Sequence, residues 1–239
     1  MMPPHHSDES MPNLVMLPGL DGTGKLFAEF IRAVGAAAEV QVIAYPRDVP
    51  MGYAELEAHV RAALPADRRY VLLGESFAGP LAIRIAAHPP PGLAGVILCG
   101  TFAKNPFPRL RWARTWVVRL PIKSLPRWLR APLMWGSALP QRAPARAERA
   151  MTGVAAAVIR RRIGEILDVD ESQRLARIEL PTLVLAARRD RIVSRAATRW
   201  MLSTARGAQI EQIDGPHLLL QSRPAECAAP ILQFLRRWI

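Results

Sequence analysis

Short, nearly unbroken apolar runs alternate along this chain with segments whose apolar residues recur every three or four positions. The first kind reads as buried strand and the second as amphipathic helix. Residues 13–17 (NLVML) are apolar and stop at Pro18-Gly19, which predicts a strand and a turn. Residues 25–35 bring Leu26, Phe27, Phe30, Ile31 and Val34 to helical spacing. The same reasoning predicts strands over 40–45, 70–73, 96–99, 182–186 and 209–213. Helices are predicted over 53–64, 79–88, 194–205 and 225–238. This order predicts an α/β fold with a mainly parallel, doubly wound sheet of about six strands.

The alternation breaks once, between 101 and 178. Four of the six tryptophans lie there, among many Arg and Pro residues with helical periodicity. The segment is expected to form a helical lid over the sheet. The chain therefore divides into a disordered leader over 1–12, a core formed by 13–100 and 179–239, and a helical lid over 101–178. Charge sharpens this division. The chain carries a net charge of +12, and 101–178 alone holds 16 Lys or Arg against 5 Asp or Glu. A field that uneven suits an acidic partner; the plain alternative is Arg used only for solubility.

Half of the residues are apolar, which excludes a disordered chain. Cys99 and Cys227 are too few for a disulfide framework and suit a reducing compartment. The first twelve residues, MMPPHHSDESMP, lack the pattern of a secretory signal. No run of about eighteen apolar residues occurs, so a cytoplasmic protein is expected. Zinc-ligand spacing is missing, and neither metal nor organic cofactor is expected.

The chemistry concentrates at three loops. Gly74-Glu75-Ser76-Phe77-Ala78-Gly79 joins a predicted strand directly to a predicted helix. A serine on so sharp a turn exposes its hydroxyl at the carboxyl edge of the sheet. It needs a base to take its proton. Of the five histidines, His5 and His6 fall in the leader, and His59 and His88 lie in helices. Only His217 follows the last strand, at the edge where open α/β sheets bind ligands. The base in turn needs an acid to orient it. Asp190 follows the strand at 182–186 on the same edge. Asp168 and Asp170 lie in the inserted segment, and Asp214 lies close to the strand end beside His217, so they rank behind it. The oxyanion of acyl chemistry needs amide donors. Phe77, next to the serine, and Leu20, in the glycine-rich loop after the first strand, are the candidates. That loop lacks the Lys-Ser/Thr ending of a phosphate loop. From position, Thr23, Phe102 and Trp135 are expected to line the pocket. No nucleic-acid motif is present, and no nucleic-acid partner is expected.

The motifs LPGLDGTG, GESFAG, LVLAARRDRIV and GPHLLLQSRP together resemble the α/β-hydrolases over 13–239, with Ser76, Asp190 and His217 in the family's order. Within that family the chain is similar to small bacterial carboxylesterases, including those that cleave a pimeloyl-carrier-protein methyl ester in biotin synthesis. Two departures stand out: the usual His-Gly of the oxyanion loop is Pro18-Gly19, and the two usual leading strands are missing. The resemblance implies a serine carboxylesterase acting on a small or carrier-bound acyl ester. It also implies acyl carrier protein as a partner for the basic lid, with Arg142, Arg146, Arg149, Arg160, Arg161 and Arg162 as docking candidates. Two alternatives stay open. One is a lipolytic esterase or acyltransferase at an anionic membrane surface, because Trp112 and Trp116 lie one helical turn apart among Arg109, Arg111, Arg114 and Arg119. The other is a non-catalytic binding protein on the same scaffold.

Overall fold

A computed structural model describes residues 11–112, 114–117, 119 and 149–239. Six strands form one sheet: β1 (Asn13–Leu17), β2 (Glu39–Val42), β3 (Tyr70–Glu75), β4 (Leu93–Cys99), β5 (Thr182–Ala187) and β6 (Gln209–Ile213). Their order is β2-β1-β3-β4-β5-β6, and every pairing is parallel. The helices are α1 (Ala28–Val34), α2 (Tyr53–Ala63), α3 (Ala78–Ala86), α4 (Arg114–Val117), α5 (Ala156–Asp168), α6 (Ser172–Leu175), α7 (Arg195–Thr204), α8 (Leu219–Ser222) and α9 (Pro224–Trp238).

The central strands read as continuous apolar runs because both of their faces are covered. Side chains alternate between two cores. Val15, Leu17, Tyr70, Leu72, Val96 and Leu98 enter one. Leu14, Met16, Val71, Leu73, Ile97 and Cys99 enter the other. The outermost strands, β2 and β6, are mostly exposed and correspondingly polar. Observed elements differ from expectation mainly at their ends. The helix expected over 25–35 begins as a 3-10 turn, Lys25–Phe27, before α1. The strand expected over 40–45 is ladder-paired only through Val42.

The strand order reverses between β1 and β3, which places a crevice at their carboxyl ends. Register fixes that crevice closely, because Leu17 pairs with Gly74. The loop leaving β1 therefore runs beside the turn leaving β3.

The core takes in both ends of the segment expected as a separate lid. Phe102, Ala103, Val169, Leu175 and Ile178 belong to the main core. Lys104 and Asp170 form an antiparallel bridge, with Glu171 N–H donating to Ala103 O at 2.8 Å. The insertion thus leaves and rejoins the sheet through one closed neck. Its helix α5 has its own small core of Val154, Val158, Ile159, Ile163 and Leu167, against which Leu20 packs. Part of the expected lid, residues 113, 118 and 120–148, and most of the expected leader lie outside the described residues. Among the described residues, no helix is long and apolar enough to cross a membrane.

Glu171 locks the neck to the core. Its two carboxylate oxygens accept from Arg84 Nη1 at 2.9 Å and Arg174 Nη1 at 2.8 Å, and Arg84 Nε also donates to Glu57 at 2.7 Å. Arg84 thereby ties α3 to α2 and to the neck. Removing the buried carboxylate leaves Arg84 half-partnered, so Glu171→Ala is expected to cost about 2 kcal/mol. Urea unfolding reads this directly; a loss under about 0.5 kcal/mol, the range of ordinary surface changes, rules out such a lock.

Candidate active site

Ser76 follows β3 directly and has φ +51°, the left-handed region that non-glycine residues rarely enter. Hydrogen bonds on both sides hold it there. Its N–H donates to Cys99 O at 3.0 Å, and its carbonyl accepts from Gly79 N–H at 3.0 Å and from the Thr101 hydroxyl. The turn is tight enough to dictate a glycine before it. A Cβ on Gly74 would lie 2.7 Å from Ala78 O and 2.8 Å from Ala82 Cβ. The strained turn lifts the Ser76 side chain off the strand end, where it stays partly exposed.

Ser76 Oγ lies 2.8 Å from His217 Nε2, and His217 Nδ1 lies 2.8 Å from Asp190 Oδ2. His217 is 2% exposed, which leaves its ring little freedom. Asp190 is aimed by the backbone that follows it: its Oδ1 accepts from Ile192 N–H at 2.7 Å and Val193 N–H at 2.8 Å. One oxygen anchors the carboxylate and the other faces the imidazole. The three residues expected from sequence are thus brought together in a hydrogen-bonded series. The rejected acids are engaged elsewhere. Asp168 pairs with Arg114 at 2.7 Å, Asp214 with Arg189 at 3.1 Å, and Asp170 accepts from Ser172 N–H at 3.0 Å.

The β1 loop approaches the serine closely. A Cβ on Gly19 would lie 3.7 Å from Ser76 Cβ. Leu20 therefore follows the point of closest approach. Phe77 is fully buried and stacks on Tyr53 at 4.9 Å between ring centroids. The Tyr53 hydroxyl donates to Phe77 O at 2.9 Å, which anchors the peptide that follows the one carrying the Phe77 N–H. Both oxyanion candidates thus lie on turns beside Ser76.

Expectation and structure part at Arg162. Expected as a docking residue, it is 1% exposed, with its guanidinium bonded to the carbonyls of Leu20 and Pro46. The helical phase of α5 turns it inward with Val158, Ile159 and Ile163. It cannot meet a partner. Arg149, Arg160 and Arg161 are exposed, and Arg161 pairs with Glu165 at 3.2 Å. Arg142, Arg146 and Trp135 lie outside the described residues. Thr23 is half-buried and gives its hydroxyl to Asp21; Phe102 is buried in the main core. Residues missed by sequence reasoning include Glu75, which accepts from Gln221 Nε2 at 2.9 Å. Its signal was its place inside the elbow motif.

A parallel six-stranded sheet carrying a serine elbow, an imidazole and a carboxylate on its carboxyl edge defines an α/β-hydrolase scaffold. The chain belongs to the Alpha/beta hydrolase family, whose model matches residues 14–229. Among solved structures it is similar to the enol-lactonase from Burkholderia xenovorans LB400, at 17% identity and TM-score 0.83, covering 96% of this chain and 93% of that one. It is also similar to an esterase from Exiguobacterium antarcticum, at 13% identity and TM-score 0.79, covering 95% and 92%. A third is a membrane phospholipase A described as a bacterial virulence factor, at 22% identity and TM-score 0.73, covering 96% and 80%. At these identities the likeness is one of fold. No curated protein matches the chain in sequence.

Burial pushes the Glu75 carboxyl up to about 8 from 4.5, opposed by its hydrogen bond from Gln221 and helped by the nearby Asp21 charge. Between these values the unfolded chain has lost this proton and the folded chain keeps it. Folding then takes up a proton, so stability falls as pH rises through that window. Glu75→Gln is expected to flatten the slope and raise Tm at pH 8. Thermal unfolding at pH 5 and pH 8 tests this; a variant with the parent slope rules out a neutral Glu75.

Proposed function

We propose that this protein is a serine carboxylesterase that hydrolyses carboxylic esters through an acyl-enzyme. The observation that carries the reading is the pair of 2.8 Å contacts joining Ser76 Oγ, His217 and Asp190 in series. Family membership and esterase neighbours support hydrolysis as the reaction class. In the proposed cycle, Ser76 Oγ attacks the ester carbonyl carbon while His217 Nε2 takes its proton. The Asp190 carboxylate stabilises the imidazolium. The amides of Phe77 and Leu20 receive the oxyanion. As the tetrahedral intermediate collapses, the alcohol leaves with the proton from His217. Water then repeats the sequence on the acyl-enzyme, releasing the acid and restoring Ser76. This series of contacts argues against a purely ligand-binding role, which has no use for an activated serine.

The finer reading is a carrier-protein-bound methyl ester as substrate. Its support is the excess of positive charge in 101–178 and the exposed side chains of Arg149, Arg160 and Arg161. A second reading, an esterase or acyltransferase working at an anionic membrane, is favoured by one specific observation. Trp112 and Trp116 are 83% and 71% exposed, beside the exposed Arg111 and Arg119. Amphipathic aromatic rings flanked by cations suit a lipid interface.

Two experiments separate these readings. On a chain-length series of nitrophenyl esters, Ser76→Ala is expected to lose at least about a thousandfold in kcat/KM. Equal turnover in both proteins removes Ser76 as nucleophile. In flotation at low salt with phosphatidylglycerol vesicles, the membrane reading expects the protein to rise with the lipid and Trp112→Ala/Trp116→Ala to remain below. Parent protein that stays with the aqueous fraction ends that reading.

A further inference from the structure

We propose that Arg162 is a positioning residue for the oxyanion hole, holding the Leu20 loop and the Phe77 ring in place from the inserted helix α5. The proposal rests on the esterase reading, because it concerns the two amides assigned there to the oxyanion.

Arg162 occupies the apolar stripe of α5, where Val158, Ile159, Ile163 and Leu167 are also buried. A cation in such a place is costly unless something requires it. Among the described residues no carboxylate forms an ion pair with it. Burial lowers its pKa, against the nearby Tyr45 and Asp21. An arginine here is therefore explained by what its guanidinium holds.

Its Nη1 donates to Leu20 O at 2.8 Å and Nη2 to Pro46 O at 3.1 Å. The guanidinium carbon lies 5.3 Å from the Tyr45 ring centroid and 6.0 Å from that of Phe77. The loop is shaped around this group. Gly22 has φ +68°, and a Cβ on it would collide with the guanidinium. Gly22 N–H donates to Gly19 O at 3.0 Å and Tyr45 N–H donates to Gly22 O at 2.8 Å, so the loop is closed upon itself and tied to the chain after β2. One planar fork thus spans two carbonyls and rests against the aromatic ring of the second oxyanion residue. Its charge also places a positive field beside the site where negative charge develops.

The test compares Arg162→Met and Arg162→Lys with the parent on the same nitrophenyl esters, with Tm measured alongside. The Met variant is expected to fold with a Tm a few degrees below the parent's, because the Leu20 and Pro46 carbonyls lose their donors, while kcat falls roughly 10- to 100-fold and KM changes by less than about threefold. A boronic acid mimic of the tetrahedral intermediate is expected to weaken by the same factor as kcat/KM. Lys keeps the charge but offers a point in place of a fork, and is expected to fall between the two. Unchanged kcat in Arg162→Met overturns the proposal. So does a loss carried wholly by KM, which would make Arg162 a substrate contact. If the Met variant does not fold, Arg162→Lys decides, and parental kcat there overturns the proposal equally. Ser76→Ala separates the two levels. Turnover that survives it sinks the esterase reading itself, whereas its loss together with a fully active Arg162→Met sinks only the role of Arg162.

Discussion

The backbone at Ser76 is the constraint from which the site follows. A left-handed residue directly after a buried strand turns the chain into α3 within one step. That conformation is unfavourable for a residue with a side chain, so the surroundings must hold it. They do so through Cys99, Thr101 and Gly79, which bond to the Ser76 peptide groups from β4, the chain after β4 and α3. The sheet therefore supports Ser76 from its neighbouring strand, and the bare Cα of Gly74 lets α3 pack down behind it.

The charges near this turn are treated in contrasting ways. Glu75, beside Ser76, is sealed from water and favours its neutral form. Asp190 receives two backbone N–H groups on one oxygen and faces the imidazole with the other. Arg162 lies buried against carbonyls and rings. Water excluded from such a place strengthens each of these interactions.

The inserted segment is more closely joined to this centre than a cover laid over a pocket. Its two ends meet in the bridge between Lys104 and Asp170, and Glu171 ties that neck to α3. Its helix α5 packs against Leu20 and sends Arg162 into the same loop. The helix is thereby joined to the β1 loop through a hydrogen bond and through packing.

The sequence by itself determined the alternation of strands and helices, because strands covered on both faces must be apolar throughout and helices must be apolar on one side. It also determined Ser76, Asp190 and His217 as candidates, since each occupies a loop at the carboxyl end of a strand. Strand ends were less legible: 44 and 45 look like strand, but only a neighbour's hydrogen bonds decide where the ladder of β2 stops. The three consecutive arginines of α5 are alike in composition, and all three were expected to meet a partner. What the tertiary structure decided was where the apolar stripe of α5 would point: toward Leu20 and Pro46, so that one arginine became internal while its two neighbours stayed in water. It likewise decided the raised pKa of Glu75, because desolvation is a property of what surrounds a residue in space.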